Sequence, residues 1–426
     1  MNQPLVSVGI VTARQIRFSL NGTFTAEPQP DAELSQQTVE TVSATPTGFL
    51  WRGRTYHQLT LIPADREECS FSLLDVTIGK DFHWQRQEQQ TFRGTLRLLP
   101  SDGLVCAVNE LPVEEYLGSV ISSEMSPTAS LEFLKAHAVI SRSWLLAQLK
   151  PNHTSPAASP TEYRDPSQGL YIKWYDHDDH SLFDVCADDH CQRYQGITKV
   201  SNPNAYEAVR QTFGQVLTFD GELCDTRFSK CCGGRLEEFP TCWADTPKPY
   251  LQSKPDLLAD PRSASVTDAF CNTSDPQILS QVLNNFDQET TDFYRWTVRY
   301  TVAQLSSLIA SKSGQDFGEI LDLIPLQRGP SGRISLLKIV GSRLTLTVGK
   351  ELEIRRWLSP THLYSSAFDV EKTPSGDFIL HGKGWGHGVG LCQIGAAVMG
   401  SLGFRYDEIL RHYYPNAQLK TSYSAQ

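Results

Sequence analysis

An almost continuously apolar segment, residues 131–149, most constrains the fold of this chain. Spacings of three and four place Lys135 and Arg142 on one face of a helix whose other faces are apolar. Such a helix is expected to be buried, and burying a cation is costly unless it has an anionic or hydrogen-bonding partner. Two alternatives follow: internal ion pairs, or a polar cleft beside the core. Glu124 is one candidate partner.

The carboxylate of Glu124 is predicted to lie just before this helix. Ser126 followed by Pro127 is a typical helix start, and Ser130 is the rival N-cap. A helix N-terminus stabilises the anionic form of a nearby carboxylate, whereas a general acid needs a raised pKa, which burial can supply. These residues alone allow either an acid/base glutamate or a purely structural one.

Composition excludes some classes of protein. The chain has 426 residues, more than one ordinary domain, and 48 Asp+Glu against 38 Lys+Arg. Without a basic patch interleaved with aromatic residues, nucleic acid is not an expected partner. No run of about 18 apolar residues predicts a transmembrane segment. The first residues are typical of alternating strands rather than of a signal peptide.

We predict an α+β fold, mainly antiparallel β, with the buried helix packed on a sheet beside an open substrate groove. Short strands bounded by turn residues are expected up to about residue 99. We divide the chain into a β-rich region (1–90), a region with Glu124 and a Cys/His cluster (91–255), an α+β subdomain (256–370) and a C-terminal strand and helix (371–426).

The Cys/His cluster consists of His180, Cys186, His190 and Cys191. The set matches the number and type of ligands in a structural zinc site, although not the spacing of a zinc finger. A closed site leaves no position for water, so Cys186→Ala is expected to lower stability rather than alter a chemical step. A Cys186–Cys191 disulfide or unpaired side chains are the alternatives, and His177 could replace His180.

Alternating glycines mark the segment HGKGWGHGVGLCQIGA, residues 381–396. In an extended chain these glycines share one face, where another backbone or a polymer substrate can come close, while Trp385 and His387 point the other way. The spacing lacks the third glycine of the dinucleotide-binding fingerprint. A tightly packed structural strand is the alternative. Gly233 and Gly234, in RFSKCCGGRLEEFPTCW, predict another tight, ligand-accessible turn.

Together these segments resemble the SpoIID/LytB family of sporulation protein SpoIID and amidase-enhancer proteins, from about residue 91 to 419. The matching stretches are LPVEEYLGSVISSEM, LEFLKAHAVISRSW, FDVCADDHCQRYQG, CCGG and GWGHGVGLCQIGAAVMGSLGFRYDEILRHYYPNAQL. The Glu-Met pair before the Lys/Arg helix and the GWGHGVG run are specific in combination. The chain departs from the family in Cys392, where serine is more usual, and in Cys231 and Cys232, which puts the redox state rather than the activity in question.

The resemblance implies a lytic transglycosylase that breaks MurNAc–GlcNAc bonds of peptidoglycan glycan strands and leaves 1,6-anhydro-MurNAc ends. Glu124 would be the catalytic acid/base, with Lys135 and Arg142 positioning it or contacting substrate. One carboxylate suffices when the sugar's C6 hydroxyl replaces water as nucleophile. The resemblance also places zinc on the Cys/His cluster. We expect substrate-binding residues at Gly233, Gly234, Lys383, Trp385, His387 and Gln393, in one cleft with Glu124 and Lys135.

Two other functional classes stay open. A non-catalytic glycan binder that assists a cell-wall amidase would not need Glu124 for turnover. A zinc hydrolase is disfavoured by the closed ligand set and by the lack of an HExxH helix. A wall substrate implies the cell envelope, whereas unpaired cysteines suit a reducing interior. The redox states left open are those of Cys69, Cys106, Cys224, Cys231, Cys232, Cys242, Cys271 and Cys392.

Overall fold

The computed structural model describes residues 3–29, 34, 38–78, 86–126, 128–149, 162–165, 167, 169–174, 180–188, 190–198, 203–282 and 291–424. Helices account for 24% and strands for 38%, mostly in antiparallel sheets, which confirms the predicted α+β class. No helix in the described ranges combines the length and apolarity needed to cross a membrane. Pro127 and His177, which entered the sequence predictions, lie outside the described residues.

The N-terminal part consists of strands whose side chains alternate between buried and exposed, as the sequence predicts. The strands are β1 (Leu5–Ala13), β2 (Gln15–Asn21), β3 (Phe24–Glu27), β4 (Val39–Thr45), β5 (Gly48–Trp51), β6 (Arg54–Tyr56), β7 (Leu59–Pro63), β8 (Ser70–Ile78), β9 (Arg86–Phe92), β10 (Thr95–Ser101) and β11 (Leu104–Pro112).

The middle part begins with two long helices and continues with short elements. They are α1 (Val113–Glu124), α2 (Leu131–Gln148), β12 (Glu162–Asp165), β13 (Leu170–Lys173), β14 (Val185–Cys186), α3 (Pro203–Gln211), β15 (Gln215–Phe219), β16 (Glu222–Leu223), β17 (Phe228–Ser229) and α4 (Phe239–Cys242).

The last part alternates helices and hairpins after a short 3₁₀ turn, Pro261–Ser263. Its elements are α5 (Pro276–Val282), β18 (Arg295–Tyr300), α6 (Val302–Ser313), β19 (Ile320–Arg328), β20 (Ile334–Gly341), β21 (Thr345–Gly349), α7 (Glu351–Trp357), β22 (Phe368–Lys372), β23 (Phe378–Lys383), β24 (Leu391–Cys392), α8 (Gln393–Ser401), α9 (Tyr406–Tyr413) and β25 (Gln418–Thr421).

Two six-stranded sheets form the N-terminal layer, in the orders β14-β1-β11-β10-β7-β3 and β6-β5-β4-β2-β8-β9. β11 packs against β2, β4 and β5 of the other sheet. Val8 and Leu98 from one sheet and Phe18 and Phe71 from the other are fully buried in one core. β10 and β11 lie beyond the predicted regional limit at residue 90, yet they belong to the same sheet as β1.

The apolar segment forms α2, and 13 of its 18 residues are buried. Ser130 caps it, because its Oγ accepts a hydrogen bond of 3.4 Å from the backbone amide of Phe133. α2 packs on β15 of the small sheet β16-β15-β25 and on α1, α3, α8 and α9. The predicted burial of this helix is confirmed.

A second hydrophobic cluster lies between the sheet β12-β13-β21-β20-β19 and the sheet β18-β23-β22. Trp357 of α7, Phe317 and Leu337 are at most 2% exposed within it. β23 contributes Phe378 and Leu380 to this cluster and runs directly into the glycine-rich segment. Packing in the cluster therefore fixes where that segment begins.

Candidate functional site

Glu124 is the last residue of α1, and the next helix begins only at Leu131. The prediction that a helix N-terminus stabilises its carboxylate is therefore wrong, because Glu124 lies at the end where the helix dipole disfavours a negative charge. The side chain is half-buried. Its Oε1 accepts a hydrogen bond of 3.1 Å from the backbone amide of Arg193.

Arg142 is fully buried in an ion pair with Glu114. Its Nε and Nη2 lie 2.8 and 2.6 Å from the two carboxylate oxygens, and Nη1 donates to the Gln215 carbonyl at 3.0 Å. Glu114 is in the first turn of α1, ten residues before Glu124, a separation of about 15 Å along the helix axis. The expectation that Arg142 lies beside Glu124 is therefore not met.

Lys135 is also paired within the fold. Its Nζ lies 2.6 Å from Glu132 Oε1 and 5.5 Å from the centre of the Tyr406 ring. The other oxygen of Glu132 accepts a hydrogen bond of 2.8 Å from the Tyr406 amide at the start of α9. Of the two alternatives for these cations, the structure shows internal ion pairs for both.

The Cys/His cluster is assembled as the sequence predicts, with the donor atoms of His180, Cys186, His190 and Cys191 all within 4.8 Å of one another. Cys191 Sγ lies 3.5 Å from His180 Nε2 and 3.6 Å from His190 Nδ1. A tetrahedral zinc, with bonds of about 2.3 Å to sulfur and about 2.05 Å to nitrogen, separates such atoms by about 3.5 Å. The hydrogen bond between the two thiols lowers the pKa of Cys186 and raises the pKa of Cys191 well above its usual range, so the pair holds one thiolate and one shared proton. The cluster has the geometry to hold a metal ion, which would displace that proton on binding.

The loop that carries this cluster is fixed on the N-terminal sheet. β14 pairs with β1 in parallel, and the Phe183 ring lies 4.7 Å from the ring of His180. A Cβ at Gly9 of β1 would be 2.3 Å from Phe183, so glycine is needed for this packing. Further along, the Tyr194 hydroxyl donates to Asn109 Oδ1 at 2.6 Å. The Arg193 amide that binds Glu124 is thus held from both sides.

The glycine-rich segment is a tight loop rather than an extended strand. β23 ends at Lys383, and positive φ angles of 75°, 89°, 74° and 73° follow at Gly384, Gly386, Gly388 and Gly390. A Cβ at Gly388 would lie 2.4 Å from Arg333, and one at Gly390 would lie 2.0 Å from the Arg227 carbonyl oxygen. The glycines do not share one face of an extended strand, but the predicted close approach is present: another backbone, rather than a polymer substrate, lies against Gly384 and Gly390.

The Gly233–Gly234 turn packs directly on this loop. Cys231 and Trp385 exchange two backbone hydrogen bonds of 3.0 and 2.8 Å. A Cβ at Gly233 would lie 2.9 Å from the Gly384 nitrogen, and one at Gly234 would lie 2.9 Å from the hydroxyl of Tyr294. The tight turn is present, and its glycines serve the contact between two chain segments.

Arg333, which the sequence gave no reason to select, holds the two segments together from inside. Its guanidinium donates to the carbonyls of Gly386 and Cys232 at 3.0 and 3.1 Å and to Ser331 Oγ at 2.9 Å. Ser331 in turn donates to Glu237 at 2.6 Å, and both Arg333 and Glu237 are fully buried. No sequence pattern identifies Arg333 or Glu237 as important, because their partners are distant in sequence.

Trp385 and Lys383 are half-buried side chains of the same loop. The ring of Trp385 stacks on that of Tyr364 with centres 4.3 Å apart. Burial, followed by the charges of Arg295 and Arg333, lowers the pKa of Lys383. Both side chains are partly exposed, and the Trp385 ring also lies 4.9 Å from that of Phe293.

Gln393 points into the protein, whereas His387 is half-buried. The His387 ring lies 4.8 Å from that of Trp243, and burial, followed by the charge of Arg227, holds its pKa well below the usual range. Gln393 is 4% exposed, and its side-chain nitrogen lies 3.2 Å from His137 Nε2 on α2. Gln393 therefore links α8 to the central helix.

Arg227 connects the glycine-rich loop to the Cys/His cluster. Its guanidinium lies 4.4 Å from the centre of the Trp243 ring, and its charge acts on both Cys191 and His387. The loop that carries the Cys/His cluster thus contacts Glu124 through the Arg193 amide, and the charge of Arg227 acts on its Cys191.

All ten cysteines lie in the described residues, and none forms a disulfide. The alternative of a Cys186–Cys191 disulfide is therefore not observed. The partially exposed pair Cys186 and Cys191 belongs to the Cys/His cluster, and the other eight cysteines are buried.

Comparison with known proteins gives two family matches. Residues 101–219 match the Stage II sporulation protein family, SpoIID. This segment contains Glu124, both cations of α2 and the Cys/His cluster. The chain belongs to the SpoIID/LytB family. Residues 237–390, which include most of the glycine-rich loop, match a domain of unknown function, DUF8618.

Three curated proteins are similar to this chain over 72–76% of its length, and two of them carry names of this family. An uncharacterized protein of Brachyspira hyodysenteriae is 26% identical over 323 residues, covering 76% of this chain and 70% of that protein. The amidase enhancer of Bacillus subtilis is 27% identical over 337 residues, covering 72% of this chain but only 40% of the enhancer. Stage II sporulation protein D of Bacillus subtilis is 25% identical over 318 residues, covering 74% of this chain and 76% of that protein.

Proposed function

We propose that this protein acts on the bacterial cell wall as a lytic transglycosylase that cleaves MurNAc–GlcNAc bonds of glycan strands, with Glu124 as general acid/base. Membership of the SpoIID/LytB family supports a role connected with the cell wall. The proposal places the protein in the cell envelope, where its substrate is found.

The hydrogen bond from the Arg193 amide to Glu124 is the observation that carries this proposal. A half-buried carboxylate at the end of a helix, with one oxygen fixed by a backbone amide, has a defined direction toward substrate. Met125, directly after it, is 1% exposed. An ordinary surface glutamate has neither the fixed orientation nor the buried neighbour.

The environment of Glu124 suits both halves of the proposed reaction. In the first half, the Glu124 carboxylic acid donates its proton to the glycosidic oxygen as the bond to MurNAc C1 breaks. The C6 hydroxyl of the same MurNAc then bonds to C1, and its proton returns to the Glu124 carboxylate. The helix dipole disfavours the charged carboxylate and the Arg193 amide stabilises it, and these opposed influences act in both halves of the reaction.

The half-buried Trp385 and Lys383 are the proposed contacts to the glycan strand. An aromatic ring presents an apolar face to a sugar ring, and the ammonium of Lys383 can pair with the carboxylate of the MurNAc lactyl group. We propose that Gly233, Gly234, His387 and Gln393 support this surface from behind, since each is packed against protein atoms.

The four Cys/His residues are proposed to hold a structural zinc ion. Two thiolates and two imidazoles complete a tetrahedral set, so the ion takes no part in the proton transfers. It holds the loop from which the Arg193 amide reaches Glu124.

The experiment compares the unmodified protein with Glu124→Gln on purified peptidoglycan, with mass spectrometry of the released muropeptides. The amide is nearly isosteric but cannot transfer a proton, so strand cleavage should fall by roughly 10²–10⁴-fold or more. The unmodified protein should leave 1,6-anhydro-MurNAc ends. Glu110→Gln is the matched control, because Glu110 on β11 pairs only loosely with Arg97, at 3.5 Å.

A non-catalytic amidase enhancer is the second candidate function, because a protein of that name matches 72% of this chain. In that case Glu124→Gln would leave glycan products unchanged, and the protein would increase peptide release by an added cell-wall amidase. Reducing ends in place of anhydro ends would indicate hydrolysis and would contradict the transglycosylase proposal.

A further inference from the structure

Four buried side chains from distant parts of the sequence meet beneath the glycine-rich loop. The donor atoms of Cys232, Asp256, Cys271 and Cys392 all lie within 4.8 Å of one another. Each of the four residues is at most 1% exposed. This set, the buried Cys/Asp cluster, shares no residue with the Cys/His cluster.

The distances within the buried Cys/Asp cluster suit a single tetrahedral metal ion. The Cys232 and Cys271 sulfurs are 3.5 Å apart, and Cys232 Sγ is 3.5 Å from Asp256 Oδ2. Zinc bonds of about 2.3 Å to sulfur and about 2.1 Å to oxygen give separations of about 3.8 Å and about 3.6 Å. A disulfide would need sulfurs about 2.05 Å apart.

Neighbouring groups already orient these donors as the outer partners of a metal site do. The far oxygen of Asp256, Oδ1, lies 2.8 Å from the Tyr413 hydroxyl and 3.4 Å from His412 Nε2. The near oxygen, Oδ2, accepts from the Cys271 amide at 3.1 Å.

A backbone amide also fixes the sulfur of Cys392. The Cys232 backbone amide donates to Cys392 Sγ at 3.2 Å. Backbone amides thus hold Asp256 Oδ2 and Cys392 Sγ, and Tyr413 fixes the outer oxygen of the same carboxylate.

We propose that Cys232, Asp256, Cys271 and Cys392 form a second zinc site, structural and closed. Three thiolates and one carboxylate are ligand types that zinc accepts, and four ligands leave no position for water. The ion would join Cys232, just before Gly233, to Cys392, two residues after Gly390. It would thereby lock the pairing of Cys231 with Trp385, independently of whether the protein cleaves glycan.

The test measures the zinc content of the full chain purified without chelator, by elemental analysis and native mass spectrometry. We expect about two zinc ions per chain, one for each four-ligand set. Cys186→Ser should retain about one ion, and its cobalt-substituted form should show the thiolate charge-transfer and ligand-field bands of a tetrahedral ion. Because Cys186→Ser leaves the buried cluster intact, this arm does not depend on folding of a variant of that cluster.

Cys271→Ser should lose one zinc ion, whereas Cys224→Ser should keep both. Cys224 is the matched control because its thiol is also fully buried but lies outside both clusters. Cys231→Ser should also keep both ions, although the Cys231 thiol hydrogen-bonds to Cys271 and Cys392; loss of an ion in this variant would make Cys231 a ligand and overturn the proposed set. A Cys186→Ser protein without zinc or a cobalt spectrum, or a disulfide among Cys232, Cys271 and Cys392, would overturn the proposal.

Discussion

The backbone amide of Arg193 donates a hydrogen bond of 3.1 Å to Oε1 of Glu124. Arg193 follows Cys191 by two residues, so the proposed acid/base and the proposed metal loop are mechanically coupled. Sequence spacing alone predicts that loss of a zinc ligand affects stability only. The hydrogen bond adds an expected effect on the position of the Glu124 carboxylate.

Cys186→Ser is therefore expected to reduce both the melting temperature and the rate of strand cleavage. Removal of one thiolate opens the closed set, and a displacement of about 1 Å at a reacting group can cost about 100-fold in rate. The rate should be measured at a temperature where circular dichroism shows the variant to be folded. Cys224→Ser provides the comparison, since its thiol is buried outside both clusters. An unchanged rate in folded Cys186→Ser would show that the loop does not position Glu124.

Arg142→Met is expected to lower the free energy of unfolding by about 3–5 kcal/mol, because it leaves Glu114 buried without its cation. The cleavage rate per folded molecule should not change, since Glu114, the partner of Arg142, lies about 15 Å along the axis of α1 from Glu124. Urea denaturation and cleavage assays check the two parts separately.

Lys135→Met is the paired control for Arg142→Met. Its ion pair with Glu132 spans three residues of one helix and is partly exposed, so the expected cost is about 0.5 kcal/mol or less. If Arg142→Met keeps native stability but loses cleavage, the catalytic role implied by the family resemblance is correct and the structural role is wrong.

Local patterns in the sequence predicted a large part of this structure. Period-two strands up to about residue 99 and the buried helix α2 depend on neighbours in the chain. The cap of α2 is Ser130, the rival candidate, rather than Ser126. The Cys/His cluster was visible because its four ligands lie close together in sequence, and spacing alone then restricts where they can go.

Features built from distant residues were missed or misassigned. Arg142 offered no indication that Glu114, rather than Glu124, is its partner, because the pairing depends on how α1 packs on α2. Asp256 and Cys271 belong to no sequence motif that would indicate a metal site. The glycine pattern was interpreted as an extended strand since alternation indicates period two, whereas positive φ at every second residue requires glycine just as strictly.

Gly390→Ala should be much more destabilising than Gly403→Ala, although both glycines have positive φ. A positive φ costs an alanine about 1–2 kcal/mol at either position. At Gly390 the new Cβ would also lie 2.0 Å from the Arg227 carbonyl oxygen, whereas nothing lies within 4 Å at Gly403. Forced overpacking adds roughly 1–3 kcal/mol. If Gly390→Ala and Gly403→Ala had the same midpoint in urea denaturation, the backbone around Gly390 would be less tightly packed than its contacts indicate.

His137 is expected to make the stability of the protein depend on pH below neutrality. It is fully buried on α2, its ring nitrogens lie 3.2 Å from Ser141 Oγ and from the Gln393 side-chain nitrogen, and burial lowers its pKa to about 3. The unfolded chain has a histidine pKa of about 6.5. Between these values the unfolded state binds a proton that the folded state cannot, so stability is lost as the pH falls from about 6.5 toward about 3.

His137→Gln removes this titration while keeping an amide that can hydrogen-bond to Ser141. The difference in unfolding free energy, unmodified protein minus variant, should rise with pH below about 6.5, with a slope approaching about 1.4 kcal/mol per pH unit, and should be flat above it. Urea denaturation of both proteins from pH 5 to pH 8 measures this difference, in which the other titrating groups cancel. Parallel curves across that range would mean that His137 titrates in the folded protein with about the same pKa as in the unfolded chain, because its surroundings admit water or an anionic partner.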